Sequence, residues 1–165
     1  ANPIGISANV ITADGWILYG RRNQRVATHP GAIHTFGGTV DRDDLNSADD
    51  LDVFASMARE LHEELQLAGG ELGEQVCLGM IRDPQLRQPE LIFDAPIAAT
   101  RGELESRLAA DDLEHEAIVA TRDEPATISA FLRTPDCVPV MIGSLLLHAR
   151  LAFGEDVYAS LLQQL

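Results

Sequence analysis

The sequence predicts a layered α/β/α domain built around a mixed sheet. Three observations predict it. Short apolar runs bounded by turn signals occur before residue 40 and again between residues 76 and 121. One long amphipathic stretch separates them, and the last forty residues have a helical pattern. Ile4 to Ile11 and Trp16 to Tyr19 read as two short strands, joined at Ala13-Asp14-Gly15 by a hairpin turn. Arg21 and Arg22 close the second strand. Residues 23–40 are expected to be a loop, with His29-Pro30-Gly31 and Gly37-Gly38 as breakers.

Residues 41–50 hold five Asp, one Asn and one Ser, the composition of an exposed, mobile loop. Ser47, with Asp50 three places on, reads as a capping-box helix start with Asp in place of Glu. A helix is expected over about 48–67, because Phe54, Met57, Ala58, Leu61 and Leu65 recur at three- and four-residue spacing. Gly69-Gly70 is expected to end it, and Glu71 beyond it is expected to be replaceable. Val76 to Ile81, Leu91 to Ala98 and 117–121 read as strands, with a charged helix at about 102–110. From Ala126 two or three helices follow, broken near Pro135, Pro139 and Gly154. At 165 residues the chain is read as one domain over 1–165.

The 12 basic side chains are all Arg, and 26 acidic ones bring the net charge to −14. Without lysine there is neither a Walker-type phosphate loop nor a Schiff base. The charge argues against non-specific binding to nucleic acid or an anionic membrane. No apolar run reaches the ~18 residues of a membrane span. Cys77 and Cys137 have no metal-ligand spacing and are expected to be buried, reduced thiols. A reducing, cytoplasmic setting is expected, although a start at Ala-Asn-Pro is compatible with a trimmed leader. A homodimer is carried as an expectation.

The informative run is Arg59-Glu60-Leu61-His62-Glu63-Glu64-Leu65. On a helix, Glu60, Glu63 and Glu64 share a face, while Leu61 and Leu65 turn to the core. Three carboxylates this close repel unless a cation sits among them, and hard oxygen ligands suit Mg²⁺ or Mn²⁺. Arg59 is placed to orient a carboxylate. Two other metal readings fail. Gln66 stands where a zinc-protease helix needs its second His, and Asn46 where a calcium loop starting at Asp41 needs Gly. His29, His34, His115 and His148 have no common spacing and are read as structural or exposed.

In its context this run resembles the Nudix box, G-x5-E-x7-R-E-U-x-E-E-x-G-U, where U is bulky and aliphatic. Gly38 serves as the first glycine, and Asp44 stands at the first Glu. Fourteen residues separate Asp44 from Arg59 instead of seven. Gln66 replaces the second glycine, and Leu67 fills the last position. The Asp14-Gly15 turn, Arg21-Arg22, Pro30-Gly31 and Glu114-His115-Glu116 extend the resemblance over residues 4–122.

The resemblance implies a Nudix-type sandwich and metal-dependent hydrolysis of a nucleoside diphosphate linked to another moiety, with Mg²⁺ or Mn²⁺. It implies Glu64 as principal metal ligand, Glu63 as second, Glu60 as ligand or base, and a backbone carbonyl at Gly38. Glu114 and Glu116 are candidates for a further carboxylate, and Arg22 and Arg87 for substrate contacts. The acidic insertion, the replaced glycine and Arg87 to Phe93 resemble nucleotide-sugar enzymes of the UDP-glucose pyrophosphatase type. The alternative is a Nudix-fold binding or regulatory module without activity. A prenyl-diphosphate isomerase finds no suitably placed Cys.

Overall fold

The computed structural model describes residues 3–26, 29–45, 50–82, 87–108 and 115–165. Among them are seven strands and five α-helices. β1 (Gly5–Ile11) and β2 (Trp16–Arg22) form the expected hairpin. Its turn closes through Gly15 N–H donating to the Thr12 carbonyl at 3.0 Å.

The stretch expected to be loop contains β3 (Ile33–His34) and β4 (Phe36–Thr39). Its glycines act here by close approach rather than as breakers. A Cβ on Gly37 would lie 2.0 Å from the Ile6 carbonyl oxygen, so only glycine lets β4 lie against β1 at this point. The remaining strands are β5 (Val76–Arg82), β6 (Pro89–Pro96) and β7 (His115–Arg122). The order is β3-β2-β1-β6-β5, with β4 also on β1 and β7 also on β2. β1 runs parallel to β6, and the other pairings are antiparallel. Over Gly5–Ala8 β1 pairs with β4, and at Val10–Ile11 it pairs with β2, so the sheet forks along β1.

Alternation along β1 sorts the two layers. Ile6, Ala8 and Val10 join a core with Met57, Leu61 and Leu65 of α1 (Val53–Leu65) and Leu104 of α2 (Arg101–Leu108). Leu61 and Leu65 are fully buried, and truncating either to Ala is worth about 2–5 kcal/mol. On the other face Ile17, Tyr19 and Ile92 pack under α3 (Pro125–Leu132), α4 (Pro139–Phe153) and α5 (Glu155–Leu162). Pro125 and Pro139 sit in first helical turns, where the missing N–H has no cost, so Pro139 starts a helix rather than breaking one.

α1 is shorter than 48–67. Asp52, not Ser47, caps it, accepting from Phe54 N at 3.1 Å and Ala55 N at 3.0 Å. Ser47 lies outside the described residues; Leu51 bridges back to Leu45 and so cannot be helical. The helix stops before Gly69 because Gln66 adopts left-handed backbone, φ 51° and ψ 41°. Phe54 does not join the buried stripe. It is 43% exposed and meets Phe93 edge-on. Glu71 is not idle either: Arg107 donates to both its oxygens at 2.7 Å, and Ala68 N at 2.6 Å, holding its carboxyl at about 2. Cys77 is exposed rather than buried, because it lies on the sheet's edge strand. Among the described residues no helix is long and apolar enough to cross a membrane.

A buried polar network ties the helical layer to the sheet. Asn9 of β1 donates to Asp94 at 2.9 Å and accepts from Tyr19 and Ser144, each at 2.8 Å. His148 of α4 bridges Asp94 and Asp123, both at 2.9 Å. Burial opposes charge on this imidazole, but the two carboxylates outweigh it and raise its pKa to about 9.

Candidate active site

The helix α1 and the strand β4 bring the acidic run against two glycines. Leu61 and Leu65 anchor one face of α1 in the core, which fixes the rotation of the other face. On that face Glu64 Oε2 accepts a hydrogen bond from Gly37 N at 2.7 Å. The Glu60 carboxylate lies over Gly38, where an added Cβ would come within 2.5–2.6 Å of it. Gly38 is therefore a cradle for a carboxylate, and any side chain there displaces Glu60.

Arg59 supplies a positive charge among the acids. Its Nε and Nη2 donate to Asp44 Oδ1 at 3.2 and 3.0 Å. Its Nη1 lies 3.0 Å from Glu60 and 3.5 Å from Glu63. The Asp44 side chain is not solvated as the segment's composition suggested; it is 6% exposed. It ends a short 3-10 helix, Arg42–Asp44, and takes a hydrogen bond from Asp41 N at 2.8 Å. That bond, with Arg59, holds its carboxyl below the usual range. Burial pushes the Glu60 carboxyl above its ordinary value, with Arg59 pulling the other way. Sequence reasoning placed Asp44 in the box but missed it as Arg59's anchor; an acid at the aligned position was the available signal.

Glu63 is turned outward, with a side chain 63% exposed. Among the described residues no three His, Cys, Asp or Glu side chains stand together as a formed metal cluster. The donor set nonetheless fits a hard divalent cation: two carboxylates meet the β4 backbone, and a third lies one turn along the same helix.

Behind Gly37 and Gly38 lies a polar cavity of about 220 Å³, lined by Ser7, Arg22, His34, Thr35, Gln88 and Glu90 among others. Arg22 lies there because the β2–β7 register shifts between Arg21 and Arg22, while Arg21 turns to Gly31 O and Asp136. Thr35 donates to Ser7 at 2.7 Å, and Ser7 donates to Glu90. Burial lowers the His34 pKa to about 4, so this ring is neutral near pH 7. Arg87 is exposed with left-handed backbone, and its neighbour Gln88 is the residue lining the cavity. Ser7, Thr35 and Glu90 were missed; for Ser7 and Glu90, polar residues inside apolar strands were the signal. Glu114 lies outside the described residues. Glu116 is exposed on β7, beside a second cavity lined by Phe36, Leu108, His115 and Ile118. Tyr19 and Phe36 are fully buried.

No family model matches the sequence. The fold resembles that of an ADP compounds hydrolase, with a TM-score of 0.62 at 17% identity over 92% of this chain and 73% of that one. It also resembles that of a MutT Nudix hydrolase from Burkholderia pseudomallei, with a TM-score of 0.55 at 22% identity over 87% and 95% of the two chains. This is a Nudix fold. In sequence, this Nudix-fold chain is 30% identical, over an alignment of 92 positions, to the uridine diphosphate glucose pyrophosphatase NUDT22 of Mus musculus. That match takes in 48% of this chain but spans only 30% of the mouse protein.

Proposed function

We propose that this chain is a metal-dependent hydrolase that cleaves the diphosphate bond of a nucleoside diphosphate derivative, with nucleotide sugars as the favoured class. The observation that carries the reading is the meeting of Glu60 and Glu64 with Gly37-Gly38, beside a polar cavity that contains Arg22. Glu60, Glu64 and the Gly38 carbonyl would hold Mg²⁺ or Mn²⁺, with Glu63 as a further ligand once released from Arg59. Such an ion, when bound, offsets diphosphate charge and acidifies water.

The remaining work falls to this chain's own groups. Arg59, anchored on Asp44, neutralises the acidic face and fixes Glu60. In its alternative role, as base rather than ligand, Glu60 would take a proton from attacking water, help typically worth about 10²–10⁴-fold. Arg22, which lines the cavity, would meet phosphate oxygens. Gln88 and Glu90 offer hydrogen bonds of the kind hydroxyl groups use, and no Phe, Tyr or Trp is among that cavity's described lining residues. This favours a glycosyl moiety there, as does the partial match to a protein named as a UDP-glucose pyrophosphatase.

The test is a panel of nucleotide sugars, ADP-ribose, dinucleoside polyphosphates and oxidised nucleotides with Mg²⁺ or Mn²⁺, scored by nucleotide release. Release should stop with chelator and return with metal. Full activity in excess chelator refutes the metal; inertness towards every diphosphate, with ligand still bound, moves the assignment to a binding module.

A further inference from the structure

The polar cavity behind Gly37 and Gly38 holds a hydrogen-bond chain whose direction limits what it can bind. Ser7 and Thr35 are buried, and each hydroxyl has one hydrogen to give. Ser7 donates to Glu90, which as a carboxylate can only accept. Ser7 Oγ therefore takes the Thr35 hydroxyl hydrogen, at 2.7 Å. Thr35 Oγ1, with its hydrogen spent, can only accept from His34 Nδ1, at 3.2 Å. The Thr35 carbonyl lies 3.0 Å from the same nitrogen and also only accepts. Both contacts place a hydrogen on Nδ1.

The state of the other nitrogen follows. Burial, with Arg22, His29 and His115 nearby, lowers the His34 pKa to about 4, so the ring carries a single hydrogen near pH 7. Nε2 is then a bare lone pair. Among the described residues none hydrogen-bonds to it, and His34 lines the cavity. A bare lone pair repels phosphate oxygens, which Arg22 in the same cavity attracts. The cavity therefore offers two unlike positions, one for an anion at Arg22 and one for a hydrogen-bond donor at His34. We infer that His34 is a specificity-determining residue whose Nε2 accepts a hydrogen bond from an O–H or N–H of the bound nucleotide derivative. This rests on the function proposed above, which supplies a glycosyl hydroxyl as the donor; an imino N–H of the base is the other source.

Nitrogen NMR of the full chain, with His34→Gln to assign the signal, observes the ring directly. Near pH 7 a protonated Nδ1 and a bare Nε2 are expected. Nε2 should shift on adding Mg²⁺ and a methylene-bridged UDP-glucose, which cannot be cleaved at the diphosphate. Binding of analogues then identifies the donor. Fluorine in place of one sugar hydroxyl, or a methyl on the base imino nitrogen, should weaken binding to wild type about tenfold. The same change should cost nothing in His34→Leu and an intermediate amount in His34→Gln, which keeps an acceptor. Loss with a fluoro analogue assigns the donor to the sugar, and loss with the methylated base assigns it to the base. A hydrogen on Nε2 in the free protein, or discrimination that persists in His34→Leu, overturns the inference. An inert protein whose Nε2 still responds to the analogue overturns the hydrolase reading and supports this one; hydrolysis without any Nε2 response does the reverse.

Discussion

Replacing Gln66 with glycine should make the protein more stable without touching its candidate chemistry. Gln66 ends α1 at φ 51° and ψ 41°, the left-handed conformation that helix ends usually assign to glycine. For a residue with a Cβ this conformation costs about 1–2 kcal/mol. Glycine returns part of that relief, about 0.5–1 kcal/mol, because its unfolded chain is freer. The net gain is about 0.5–1 kcal/mol, and at roughly 2–4 °C per kcal/mol for a chain of this size Tm should rise by about 1–4 °C. The Gln66 side chain is exposed, so little packing is lost. The assay is thermal and urea unfolding of wild type, Gln66→Gly and Gln66→Ala. The alanine variant keeps the Cβ and should gain nothing. A glycine variant no more stable than the alanine one would refute the strain argument. The result also bears on the resemblance. The box glycine is absent here, yet the backbone that glycine serves is retained, so the helix exit is preserved at a cost in stability.

Gly38→Ala should leave folding largely intact, since the new Cβ meets the movable end of Glu60, but hydrolysis should fall by on the order of 10²-fold; unchanged turnover would remove the cradle from the mechanism. Glu64→Gln keeps an acceptor for Gly37 N and should shift Tm only slightly, while turnover falls about 10²-fold or more. Its control is Glu124→Gln, exposed and making no cap bond, because Glu71 is committed to Arg107. Folding raises the His148 pKa from 6.5 to about 9, so its stabilisation is complete below pH 6.5 and is lost as pH rises through about 9. That window is worth about 3 kcal/mol at most. Tm should decline across it, and nitrogen shifts should report a doubly protonated ring at neutral pH; a neutral His148 there would refute the bridge.

What could be read from the sequence was whatever depended on local period. Leu61 and Leu65 recur at helical spacing, so the buried face of α1, and hence the outward turn of Glu60 and Glu64, followed from the chain alone. The same spacing could not say what those carboxylates meet. That depends on β4, and Phe36-Gly37-Gly38 reads as a breaker because glycine's two uses, turning a chain and letting two backbones touch, have the same letter. Only the pairing with Ile6 and Ser7 distinguishes them. The start of α1 was misread for a related reason. Ser47 and Asp52 are equally good caps in composition, and the choice is made by the Leu45–Leu51 bridge, a contact between residues too far apart for any local pattern. Charge was least legible of all. Three clustered acids seemed to need a bound cation, but Arg59 already lies against two of them, held by Asp44 from across the insertion. An ion entering beside Glu60 must therefore compete with a guanidinium. Asp44 sets the terms of that competition: it holds Nε and Nη2 and leaves Nη1 against Glu60 and Glu63, so an ion has one guanidinium nitrogen to displace.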